Sequence, residues 1–166
     1  MKKYGIFYAS STGRTAEAAR AIAKALGVAE ADLHNVASTG PAALGDYEVA
    51  ILGSPTYAAG DMQAYMSDFI DGAQALDLQG HKLAFFGTGD DTMARTFCSA
   101  VGDMARAMSH TGAVQIGEFD ARGYVFDDSA AEIAPGVYAG LLLDYVNHPE
   151  MSEARIKAWT EKIATE

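Results

Sequence analysis

The chain has 166 residues, 49% of them hydrophobic and 20% charged, which suits one globular domain with a sizeable core and excludes a disordered or fibrous chain. A formal net charge of −10 excludes nucleic acid and anionic membranes as natural partners and favours partners with basic patches, although a solvated acidic shell would carry the same charge with no partner at all. The single cysteine, Cys98, permits no intramolecular disulfide and reads as a buried structural thiol.

Met1-Lys2-Lys3 and the apolar residues after them are too short for a signal peptide. No segment approaches the roughly 18 apolar residues of a membrane span, so a cytoplasmic protein is expected. Residues 4–9 read as a first strand. Ala16, Ala19, Ile22, Ala23 and Leu26 then recur on one face of a helix. Residues 32–36 form a weak second strand. Residues 49–52 and 83–86 are apolar without alternation, as strands covered on both faces of a parallel sheet are. Phe97, Ala100, Val101, Met104, Ala105 and Met108 trace the apolar stripe of a helix that Gly112 ends. Residues 114–119 give a fifth strand, and Ile156, Trp159 and Ile163 give the last helix its stripe. The stretch 122–137, rich in Gly, Asp and Ser, reads as an excursion within the fifth strand. The repeated βα units predict one doubly wound α/β domain over residues 1–166, with helices on both faces of a parallel sheet.

Open α/β sheets bind ligands beyond the carboxyl ends of their strands, so the loops there carry the chemistry. The first is Ser10-Ser11-Thr12-Gly13-Arg14-Thr15, four hydroxyls and a glycine at a helix start. Free N–H groups and the helix dipole favour an anion in such a place. Ordinary helix capping is the alternative reading of the same hydroxyls. The loop is neither a Walker loop nor a G-x-G-x-x-G fingerprint. Two further loops, Gly53-Ser54-Pro55-Thr56-Tyr57-Ala58-Ala59-Gly60-Asp61 and Gly87-Thr88-Gly89-Asp90-Asp91, bring an aromatic ring and mobile backbone to the same edge. Either alone is only a turn.

Taken together, and with Gly123-Tyr124-Val125-Phe126-Asp127-Asp128-Ser129, Gly140-Leu141-Leu142-Leu143-Asp144 and Arg155-Ile156-Lys157-Ala158-Trp159, these loops resemble the long-chain flavodoxins over essentially the whole chain. The resemblance implies a five-stranded sheet of order 2-1-3-4-5 and one-electron transfer between a reductase and acceptor enzymes. It implies non-covalent FMN, with the phosphate on Ser10, Ser11, Thr12, Gly13, Arg14 and Thr15. The flavin ring would then lie among Pro55, Thr56, Tyr57, Ala58, Ala59, Gly60, Thr88, Gly89, Asp90, Met93 and Phe97. It also implies a peptide between Ala58 and Ala59 that turns when the flavin takes its first electron. The chain departs from the family at Tyr57, where Trp is frequent, at Met93, where a second Tyr is usual, and at Val146, where an acid is common.

Other chemistries fit poorly. His34, His81, His110 and His148 follow no metal-ligand spacing and read as surface residues. No G-x-S-x-G occurs, and Cys98 has no basic cluster beside it. A receiver domain needs acids after the first strand and an Asp ending the third; Ser10-Ser11-Thr12 and Ser54-Pro55 stand there. The alternative enzyme is a flavodoxin-fold NAD(P)H:quinone oxidoreductase, which needs room for nicotinamide and usually a dimer partner. Tyr57 and Met93 would obstruct that room, so a monomeric carrier is expected.

Overall fold

The computed structural model describes residues 1–57 and 59–166. Ala58 lies outside them, and with it the expectation for the peptide joining Ala58 to Ala59. In chain order the elements are β1 (Lys2–Tyr8), α1 (Arg14–Leu26), β2 (Leu33–Asn35), β3 (Tyr47–Pro55), α2 (Ala64–Ala73), β4 (Lys82–Thr88), α3 (Ser99–Met108), β5 (Val114–Gln115), β6 (Glu132–Ala134), β7 (Val137–Tyr138), β8 (Leu141–Leu143) and α4 (Ser152–Ile163). The main sheet is parallel and runs β2-β1-β3-β4-β5, the order the resemblance implies.

Neighbouring residues of a strand point to opposite faces, which explains the unbroken apolar runs. Ile6, Ile51 and Phe86 pack with Ile22 of α1 and Trp159 of α4. Phe7, Leu52 and Phe85 pack with Met66 of α2 and Met104 of α3 on the other face. Each such fully buried side chain contributes about 1.5–3 kcal/mol over an exposed one.

The fifth strand position differs from the expected 114–119. Two short segments share it: β5 pairs with Lys82 and Leu83 at the start of β4, and β8 pairs with Phe86 to Thr88 at its end. Pairing stops after Ile116, whose N–H donates to the Leu83 carbonyl. At Gly117 side chains take over the backbone groups: the Glu166 carboxylate accepts the N–H and the Trp159 indole donates to the carbonyl. The chain then leaves the sheet, forms the antiparallel pair β6–β7, and returns at Leu141.

This excursion rests on α3. A Cβ at Gly102, in the middle of that helix, would lie 2.0 Å from the Ala130 carbonyl oxygen, so only glycine permits the approach. Helix α3 begins at Ser99, two residues after Phe97, and ends at Met108, before Gly112. Cys98 caps it in a left-handed conformation, φ 49°. The thiol is fully buried, and burial pushes its pKa far up, as a structural cysteine requires. No described helix is long and apolar enough to cross a membrane.

Candidate cofactor-binding site

Because β1, β3 and β4 are parallel and in register, Tyr8 beside Gly53 and Pro55 beside Thr88, all three loops open at one edge of the sheet. Two buried hydroxyls tie the outer loops together: Thr15 Oγ1 and Thr88 Oγ1 lie 2.8 Å apart. The middle loop is held from both sides. The Thr56 N–H donates to the Thr88 carbonyl, and Thr56 Oγ1 accepts the Ala100 N–H at 2.9 Å.

The first loop decides between the two readings of its hydroxyls. The cap of α1 is Gly13 itself, in the left-handed conformation with φ 91°, and no side chain caps the helix. Ser10 Oγ accepts the N–H of Gly13 at 3.0 Å; Gly13 is itself the cap residue, so this bond satisfies none of the N–H groups of the first turn. The unbonded N–H groups of the first turn therefore face the loop with no side chain satisfying them. Ser11, Thr12, Gly13 and Arg14 are exposed there. A helix start left open in this way has the free donors and the dipole that an anion needs.

In the second loop the Tyr57 N–H donates to the Asp61 carbonyl and the Gly60 N–H to the Tyr57 carbonyl, a tight turn that projects the Tyr57 ring outward. The ring is 40% exposed, and its hydroxyl meets Ser11 Oγ at 2.5 Å. Ala59 is exposed and Gly60 half-buried. In the third loop Gly89 is fixed by its N–H to the Leu143 carbonyl, and the Met93 N–H donates to Asp90. Met93 is 44% exposed. Two large side chains, Tyr57 and Met93, thus present exposed surface on the two loops, Tyr57 with its hydroxyl tied to Ser11. Phe97 does not. It is 1% exposed, in a ring cluster with Tyr124 and Phe126, and it supports the third loop from below.

Sequence reasoning missed what fixes the third loop. The Asp91 N–H donates to Asp144 Oδ2. Asp91 Oδ2 accepts the Val125 N–H at 3.0 Å and meets His148 Nε2 at 2.7 Å. Asn147 Nδ2 bridges Asp90 and Asp144. Burial alone would raise the Asp144 carboxyl, but N–H groups of Asn147, Asp91 and Val146 outweigh it and hold the pKa low. Asp90 is also held low, first by the Thr92 hydroxyl. Asp91, Asp144 and His148 place oxygen and nitrogen atoms within 4.8 Å of one another, yet both Asp144 oxygens are spent on protein donors. His148 is therefore a half-buried partner of the loop and not a free surface residue. His34 and His81 also differ from the expectation: His34 stacks on Phe7 and both are bonded to Tyr47. His110 is exposed.

The profile of the family described as Flavodoxin matches residues 6–159. The chain is 32% identical to Flavodoxin 1 of Salmonella typhimurium over 98% of its own length and 93% of that protein. It is 33% identical to a flavodoxin of Nostoc sp., covering 99% of this chain and 97% of the relative. Among solved structures, the Fusobacterium nucleatum flavodoxin bound to flavin mononucleotide superposes with a TM-score of 0.89 at 26% identity, covering 99% and 98% of the two chains. Flavodoxin 2 of Bacillus cereus superposes with a TM-score of 0.78 at 26% identity, covering 98% of each. The chain belongs to the flavodoxin family, whose members are electron-transfer flavoproteins and not enzymes.

Proposed function

We propose that this chain carries single electrons on non-covalently bound FMN. The observation that bears most weight is the open start of α1, with no side-chain cap at Gly13 and with Ser11, Thr12 and Arg14 exposed around it. These residues fit a phosphate. Ser10, the N–H groups of Arg14 and Thr15, and the Thr12 hydroxyl would hold it, and Thr15 with Thr88 would set the loop. The residues around Tyr57 and Met93 fit a flat ring between them, edged by Pro55, Thr56, Ala59, Gly60, Gly89 and Asp90. FMN supplies the one-electron chemistry when bound. The protein binds it, excludes water from one side, and sets the charge around it.

The charge also selects partners. Asp61 and Asp90 sit in the flavin loops, and the chain's net charge is −10. Val125 and Val146 are exposed beside the third loop, their N–H groups bonded to Asp91 and Asp144. An apolar patch with an acidic surround suits reductases and acceptor enzymes with basic docking surfaces. We take the working form to be a cytoplasmic monomer of one domain over residues 1–166. The quinone oxidoreductase alternative gains no support, since the relatives are named as flavodoxins. The visible spectrum of the purified protein during stepwise reduction tests the reading, with chromatography of the flavin released on denaturation. FMN is the expected species; FAD, riboflavin or no flavin would overturn it.

A further inference from the structure

Of the 12 Lys and Arg residues in the chain, seven are engaged in ion pairs or hydrogen bonds. Five have no such partner among the described residues: Arg14, Arg20, Lys24, Arg95 and Lys157. Four of these five line one place. Lys24 and Lys157 stand on a cleft of 560 Å³ between α1 and α4, and Arg14 and Arg20 on an adjoining cleft of 460 Å³ that opens at Thr12 and Gly13. The two share Glu17, Tyr145 and Pro149. With Glu17 and Glu153 counted, the joined groove carries two net positive charges in a chain of net charge −10. Unpaired cations gathered on one face of an acidic protein focus a field that attracts anions.

The groove is not merely charged. Ala21 and Ala25, four residues apart on one face of α1, leave the space that larger side chains would fill, and Ile156 and the Tyr145 ring form apolar walls. Ser152 lines the same cleft. It is 3% exposed, and its Oγ is the one buried side-chain oxygen or nitrogen among the described residues with no hydrogen-bond partner. The neighbouring Tyr145 hydroxyl, pushed up to about 12 mainly by burial, feels Ser152 but does not meet hydrogen-bond geometry with it. Buried polar groups are normally satisfied, so this hydroxyl points to a polar atom supplied from outside. The volume suits a small organic ligand. We infer that the cleft between α1 and α4, which adjoins the first strand-end loop but is lined by none of its residues, is a second ligand site that takes a small amphipathic anion: an apolar body against Ala21, Ala25 and Ile156, and a carboxylate or phosphate toward Lys24 and Lys157.

The assignment stands on the groove's own residues and not on the cofactor reading. The test uses the protein as purified, with 1-naphthyl phosphate as probe and amide chemical shifts as readout. Saturable shifts confined to α1 and α4 are expected. The double substitution Lys24→Glu/Lys157→Glu should weaken binding about tenfold or more, and Ala25→Leu, which fills the space, should weaken it too. Neutral 1-naphthol and inorganic phosphate should each bind more weakly, because each keeps one half of the recognition. Shifts only around Tyr57 and Met93, affinity unchanged by the charge reversal, or no saturation would overturn the inference. Loss of the flavin spectrum, by contrast, would count against the cofactor reading and leave the groove result standing.

Discussion

Thr15 and Thr88 stand 73 positions apart in the chain and join their hydroxyls across 2.8 Å, both buried. Thr15 stands in the first turn of α1 and Thr88 ends β4, so this contact couples the first strand-end loop to the third. Thr15→Val and Thr88→Val should each destabilise the flavin-free protein by about 0.5–1.5 kcal/mol, and a double-mutant cycle in urea should show the two effects to be non-additive. Strict additivity would mean that the hydroxyls act separately.

Thr12 differs from Thr15 in being exposed. Thr12→Val should leave stability nearly unchanged and weaken FMN binding by about 1.5–3 kcal/mol, the range of a hydrogen bond to a charged group. Riboflavin, which lacks the phosphate, should bind as before. Equal losses for both flavins in titrations of the apoprotein would remove Thr12 from the phosphate site.

Tyr57 and Met93 are comparably exposed, at 40% and 44%, but only one is a ring. An aromatic pair adds about 0.5–1.5 kcal/mol beyond the area it buries, so Tyr57→Ala should cost more FMN affinity than Met93→Ala. Flavin fluorescence titration decides between them, and the reverse ranking would place the ring elsewhere.

Asp144 gathers N–H groups from Asp91, Val146 and Asn147. Its folded pKa is lowered, so the ionised form stabilises the fold. That contribution is complete above the ordinary carboxylate value near 4, and is lost as the pH falls from there through the lowered folded value. Asp144→Asn should cost about 1–3 kcal/mol at neutral pH by leaving buried donors unpaired, and should flatten the fall of stability on acidification below the ordinary carboxylate range. Thermal unfolding against pH measures both, and an acid slope equal to wild type would contradict the assignment.

Val146 is 51% exposed at the edge of the acidic network. One extra negative charge about 10 Å from the flavin, at an effective dielectric near 20, costs about 1.7 kcal/mol. For one electron that is about 70 mV, and solvent screening at an exposed site reduces it. Val146→Asp should therefore lower the potential of the second one-electron couple by tens of millivolts at low salt. Spectroelectrochemical titration reads it, and a raised potential would refute the electrostatic account.

The sheet was legible because buried parallel strands need unbroken apolar runs, and 49–52 and 83–86 supply them. The uncapped start of α1 was legible because the hydroxyl content of residues 10–15 exceeds what capping uses. The split of the fifth strand was not. Val114, Ile116 and Phe119 give one candidate strand and the apolar residues 138–143 another, and only contacts far away in the chain, Trp159 and Glu166 on Gly117, decide where pairing stops. Phe97 is a related case. Its place at the head of an apolar stripe says that it is buried, and the ring cluster with Tyr124 and Phe126 buries it against the insertion. The tie between His148 and Asp91 spans 57 positions, and no local pattern announces such a pairing.

The divided fifth strand has a consequence for how these molecules meet one another at high concentration. A sheet ends in unpaired backbone groups, and a long straight border invites another chain to add itself. Here one border is β2, three residues long, and the other is cut into segments of two and three. Arg155 Nε reaches the Leu142 carbonyl on the outer side of the last of these. An incoming strand would find nowhere to lie down for more than a few residues, so the insertion that interrupts the sheet also protects it from stacking edge to edge.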